Sequence, residues 1–159
     1  MKRFGASIAA GIVVALGIGC GSGGGNGSST VAAVSVDPSV THAQYRQQAN
    51  AICNEAKKEM IIALQNQAKK EGRASVLQIS PEVQTEILLD GLRTNLQRLE
   101  ELSAPAKDQQ QIEEFLSTFH TVVDLIDEKD LNSVQKFQPV LLRISKVAEP
   151  YGLHGCGYG

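Results

Sequence analysis

From Thr41 to Ala148 the apolar residues recur at steps of three and four, the spacing of one face of an α-helix, and no stretch alternates with the period of two that a half-buried strand needs. The first such run places Tyr45, Ala49, Ile52, Cys53, Ala56, Met60, Ala63 and Leu64 on one face. Thr41 and Gln44 before it have the spacing of a capping box, and Gly72 is its stop signal. Arg73 to Ile79 is a connector expected to pack Val76, Leu77 and Ile79 over the end of the fold. Ser80-Pro81, an N-cap followed by Pro at the first helical position, opens a second helix that is expected to bury Val83, Ile87, Leu88, Leu92, Leu96, Leu99 and Leu102. A third helix begins near Pro105 or Asp108 and buries Ile112, Phe115, Leu116, Phe119, Val122, Val123 and Ile126. A fourth, capped by Asp130, presents Leu131, Val134, Phe137, Leu141, Ile144 and Ala148, is interrupted at Pro139, and ends at Pro150-Tyr151-Gly152 before a tail that carries Cys156.

Four amphipathic helices with short later connections predict an all-α domain, an up-and-down antiparallel four-helix bundle with a C-terminal tail pinned by a disulfide. Aromatics make up only 4% of the chain, with no Trp, so the core must come from Leu, Ile, Val and Ala, which suits helices better than a β-sandwich. Gly91 lies inside the second helix, where it costs about 1 kcal/mol relative to Ala. Close approach of a neighbouring helix accounts for it, with a functional bend as the alternative. In the predicted topology the start of helix 1 and the end of helix 4 share a pole. Cys53 then stands about 18 Å up helix 1, so either the tail folds back along the bundle or the first turns of helix 1 protrude past it.

The front of the chain has another character. Lys2 and Arg3 precede an uncharged run from Phe4 to Gly19 and then Cys20, the order of a secretory signal. The run is short for a spanning helix, which needs about 20 apolar residues. Leu16-Gly17-Ile18-Gly19-Cys20 resembles a bacterial lipobox, departing from it at Gly17, where Leu is usual, and lipidation of Cys20 is expected; an uncleaved anchor or an ordinary signal-peptidase cut are the alternatives. Residues 1–19 are thus read as signal peptide, 20–40 as a lipid-anchored flexible tether rich in Gly and Ser, and 41–159 as the bundle. Of three cysteines in an exported chain, lipidation removes one. Cys53 and Cys156 are then the only intramolecular pair available, against the alternative of two reduced, buried thiols.

Several stretches together resemble a group of small actinobacterial lipoproteins that carry no assigned activity. They are the lipobox-like leader, Gln48-Ala49-Asn50-Ala51-Ile52-Cys53-Asn54, Leu99-Glu100-Glu101-Leu102-Ser103-Ala104-Pro105 and the terminal Tyr151-Gly152-Leu153-His154-Gly155-Cys156-Gly157. The resemblance spans nearly the whole chain and departs at Gly17 and at Pro150, where a small helix former is more usual. It implies a disulfide between helix 1 and the tail, and a location at the outer face of the cell membrane.

Motifs for chemistry are sparse. His42, His120 and His154 stand in none of the spacings of zinc, di-iron or haem sites, so no metal or cofactor is expected. His120 with Asp124 and Glu113 or Glu128 is most simply a boundary residue of helix 3, and His154-Gly155-Cys156 loses its thiolate if Cys156 is paired. The formal charge of −2 becomes more negative when Lys2 and Arg3 leave with the leader, which argues against a nucleic-acid partner. The acidic pairs Glu100-Glu101, Glu113-Glu114 and Asp127-Glu128 fall on polar faces. By elimination the chain reads as a non-catalytic binding or interaction module. It would touch the membrane through its lipid, with a possible binding region between helices 2 and 4 near Gly91 and Pro139. A structural envelope protein and an enzyme are the competing classes.

Overall fold

The computed structural model describes residues 34–128 and 134–158. Cys20, the Asp130 cap and Leu131 lie outside them. Among the described residues there are four α-helices and no strand: α1, His42–Lys70; α2, Pro81–Glu100; α3, Gln109–Glu128; and α4, Val134–Tyr151. No helix among them is long and apolar enough to cross a membrane.

The caps form as the sequence dictates. Thr41 Oγ1 accepts from the Gln44 amide at 3.3 Å while Gln44 Oε1 accepts from the Thr41 amide at 2.9 Å, closing the capping box. At the other end of α1, Gly72 adopts φ +66°, the Arg73 amide donates to Ala68 O at 2.8 Å and the Gly72 amide to Lys69 O at 3.1 Å. That is a Schellman stop, and it needs a residue without Cβ strain at the left-handed position. Ser80 caps α2, with Pro81 in its first turn. Between α1 and α2 one 3₁₀ turn spans Val76–Gln78. With three residues per turn, Val76 and Ile79 eclipse and face inward together, whereas Leu77 is thrown out to 83% exposure instead of packing as expected.

Named pairs give the course of the chain. Cys53 lies by Asn95 and Met60 by Gly91, so α2 descends as α1 rises. Arg93 pairs with Asp127 and Glu100 with His120, which sets α3 against α2 in the opposite sense. Gln111 and Glu114 share a groove with Lys146, Val147 and Pro150, so the start of α3 meets the end of α4. Consecutive helices are antiparallel neighbours.

All seven residues expected inside on α3 are buried. On α1, Tyr45, Ala49, Cys53, Ala56 and Met60 are buried, Ile52 and Leu64 are half-buried, and Ala63 is exposed. The inward line of α1 passes through Met60 and Ala68, and Ala63 stands off it. On α2 the buried line is Leu89, Leu92, Leu96 and Leu99, with the fully buried Asn95 on the same side. Val83, Ile87 and Leu88 are only half-buried, and Leu102 lies past the end of the helix. Phe137, Ile144 and Ala148 of α4 are buried and Leu141 is half-buried. α4 is not interrupted at Pro139: the helix runs through both Pro139 and Pro150. Pro139 is exposed, so its ring displaces no packed neighbour, and the bonds on either side of the one it lacks hold the helix.

The stretch expected to be a free tether up to Val40 is docked from Val34 onward. The Ala104 amide donates to Ser35 O at 2.7 Å and the Asp37 amide to Ala104 O at 3.0 Å, while Val34 and Val40 pack on the core.

Candidate functional site

Three places gather polar chemistry, and the first is the C-terminal tail. α4 ends in a second Schellman stop at Gly152, φ +81°, with Leu153 N donating to Ala148 O at 2.9 Å and Gly152 N to Glu149 O at 2.9 Å. The chain reverses there and climbs along α1. Each turn of α1 then supplies one fastening. The Asn50 carboxamide donates to Gly152 O at 3.0 Å and accepts from the Gly155 amide at 2.6 Å. Cys53 is disulfide-bonded to Cys156, with Cα atoms 4.9 Å apart. Lys57 Nζ donates to Gly157 O and lies 5.0 Å from the centre of the Tyr158 ring. The fold-back demanded by the position of Cys53 is therefore made by the tail, and the start of α1 stays within the bundle, where the His42 and Tyr151 rings meet at 4.6 Å.

Tyr158 closes this clasp against all four helices. Beyond Lys57 of α1, its hydroxyl accepts from Asn95 Nδ2 of α2 at 3.1 Å, its ring meets Phe119 of α3 edge-on at 6.3 Å, and its amide donates to Ser145 Oγ of α4 at 2.8 Å. Burial pushes the Tyr158 phenol up to about 12 despite the Asn95 bond, and burial lowers the Lys57 ammonium. Gly155 is required here because a Cβ would stand 2.7 Å from the Asn50 carbonyl oxygen. Sequence reading found the cysteines but not Asn50, Lys57, Asn95, Ser145 or Tyr158. A polar residue inside an apolar line, Asn95 among the leucines of α2, was the available signal.

The second place is the pole where α1 begins. Asp108 Oδ2 accepts from Tyr151 OH at 2.6 Å and lies 2.8 Å from His42 Nδ1. The Tyr151 bond holds the Asp108 carboxyl below its usual range, against the raising effect of burial and with help from His42. Burial foremost, then Asp108, raises the Tyr151 phenol. A groove of about 330 Å³ runs past His42, Pro38, Val40, Pro105, Lys107 and Asp108. A carboxylate on Nδ1 is how a general-base histidine is oriented, but the adjacent hydroxyl, Thr41 Oγ1, is committed to Gln44 at 2.8 Å. The arrangement ties the start of α1, the approach to α3 and the end of α4 together, which is a structural task.

The third is a cleft of about 470 Å³ walled by α1 and α2 and lined by Gln67, Val83, Glu86, Ile87, Leu89, Asp90 and Arg93. Gly91 lies beside it, turned to α1: a Cβ there would fall 2.6 Å from Met60 Sδ, the close helix approach expected at this glycine. Pro139 is exposed on α4, whereas the cleft beside Gly91 is walled by α1. His120 Nε2 is engaged by Glu100 at 2.6 Å, and His154 is exposed on the 3₁₀ turn His154–Cys156. Among the described residues no three His, Cys, Asp or Glu side chains are grouped to hold a metal ion.

Comparison of the chain with protein-family models, with curated proteins and with solved structures gives no match. Its function has to be argued from its own residues.

Proposed function

We propose that this protein is an exported lipoprotein, held at the outer face of the cell membrane by a lipid on Cys20, whose helical domain is a non-catalytic binding module. The observation that carries the reading is the Cys53–Cys156 disulfide. Disulfides form and persist in oxidising compartments. This one also occupies two of the three cysteines and leaves Cys20, at the end of a charged-then-apolar leader, as the remaining thiol. Binding is favoured by the α1/α2 cleft, whose volume falls in the range of small-molecule sites, about 300 to 1,000 Å³.

The test is processing in a lipoprotein-competent bacterium. The protein takes up labelled fatty acid and partitions with membranes, and Cys20→Ser loses both. Labelling that persists in the Ser variant overturns the anchor.

A further inference from the structure

We propose that the α1/α2 cleft binds a primary alkylammonium, an organic cation with a short apolar body. This deepens the binding-module reading and rests on it. Val83, Glu86, Ile87, Asp90 and Arg93 recur at steps of three and four along α2 and so share one face, opposite Gln67 near the end of α1. Val83 and Ile87 are left half-buried, and Leu89 forms the buried floor. An apolar wall long enough for a short alkyl chain is therefore open at the surface.

The polar groups around that wall select the head group. Glu86 and Asp90 are exposed and one turn apart, so like charges face each other at the spacing that destabilises a helix. Neither carboxylate has an ion-pair partner among the described residues. Gln67 gives its amide Nε2 to Glu71 Oε1 at 2.7 Å, which leaves its side-chain oxygen as an acceptor. The one cation lining the cleft, Arg93, is already balanced by Asp127 at 2.7 Å. The cleft thus offers acceptors and net negative charge. An anion would meet two carboxylates with only the already paired Arg93 to set against them. An ammonium brings up to three donors to a cleft lined by these acceptors, and its chain covers Val83, Ile87 and Leu89.

The experiment is a titration of the full chain in a non-ionic detergent with hexylammonium chloride, followed by the methyl resonances of Val83, Ile87 and Leu89. The neutral isostere 1-hexanol and the Glu86→Gln/Asp90→Asn variant serve as references in the same detergent. Both substitutions are at exposed positions and should leave the helices intact, which circular dichroism checks. The expected result is saturable shifts at those methyls, with affinity at least tenfold weaker for hexanol and at least tenfold weaker in the variant. Hexanol binding as tightly as hexylammonium would overturn the cationic class while leaving a binding cleft. Saturation unchanged in the variant, shifts centred elsewhere, or no saturation by either probe would overturn the site. None of these outcomes bears on Cys20 labelling, so the anchor and the ligand stand or fall separately.

Discussion

Removing the Cys53–Cys156 bond separates what holds the tail in the folded protein from what holds the chain together when it unfolds. The two cysteines are 103 positions apart, and in the chain-entropy model a cross-link closing a loop of that size destabilises the unfolded state by about 4.7 kcal/mol. In the folded state the tail keeps its other fastenings, to Asn50, Lys57, Asn95 and Ser145. The loss on reduction should therefore lie in the unfolded chain, at about 2 to 5 kcal/mol, with helicity unchanged. Urea unfolding of the oxidised protein, the reduced protein and Cys53→Ala/Cys156→Ala measures it. Alanine is preferred to serine because both positions are fully buried and a hydroxyl there adds a desolvation cost that the disulfide itself does not carry. The denaturant slope should rise in the two unlinked forms, since their unfolded chains expose more surface. Exchange protection of the Gly155 amide, bonded to Asn50 rather than to the disulfide, should persist. A loss under about 1 kcal/mol with an unchanged slope would refute the loop-closure argument, and loss of Gly155 protection would refute the claim that the tail is fastened independently.

Two further outcomes follow from local geometry. Gly91→Ala gains helix propensity worth about 1 kcal/mol but drives a Cβ into the buried Met60 side chain; a net destabilisation of about 1 to 2 kcal/mol is expected, and a double-mutant cycle with Met60→Ala should give a smaller loss than the sum of the single changes. Tyr158 has its phenol raised from 10.0 to about 12, so the folded state favours the neutral form: its contribution to stability is complete below pH 10 and disappears as pH climbs to about 12. Tyr158→Phe should flatten that stretch of the stability–pH curve measured by urea unfolding, and a curve unchanged by the substitution would refute burial of the phenol.

Legibility in the sequence followed the clarity of the period. α3 was fully readable because its apolar residues keep one unbroken stripe and its partners cover that stripe along its length. α1 and α2 were readable only where they are covered: beyond Met60 and before Leu89 the same spacing continues, but Ala63 is exposed and Val83 and Ile87 are half-covered. Periodicity tells which residues share a face and cannot tell how much of that face finds a neighbour. The cysteine pairing was legible by counting. The clasp around it was not, because Asn50, Lys57 and Ser145 are ordinary polar residues whose partners are backbone groups of a tail without a pattern. Pro139 misled for a related reason. One missing amide weakens a helix by an amount that exposure and flanking bonds can offset, and sequence alone does not give the exposure.

The placement of the fastenings sets which end of the domain is free to respond. The docked segment from Val34 is bonded to Ala104, His42 is tied to Asp108, and Asp108 to Tyr151. The disulfide joins α1 to the tail about 18 Å further up the helix. On the proposed anchoring, the link from Cys20 enters at this fastened pole, and its fourteen residues reach at most about 50 Å from the lipid. Gln67 lies 25 residues beyond His42 along α1, or about 38 Å along its axis. The cleft therefore sits at the far end of α1 from that pole, beyond the disulfide and beside the connector that joins α1 to α2. Separation of α1 from α2 there is opposed by the connector itself, where Ile79 is buried and Gln84 Nε2 donates to Ile79 O at 2.8 Å and to Val76 O at 3.2 Å, so a ligand in the cleft meets a wall held at its closed end.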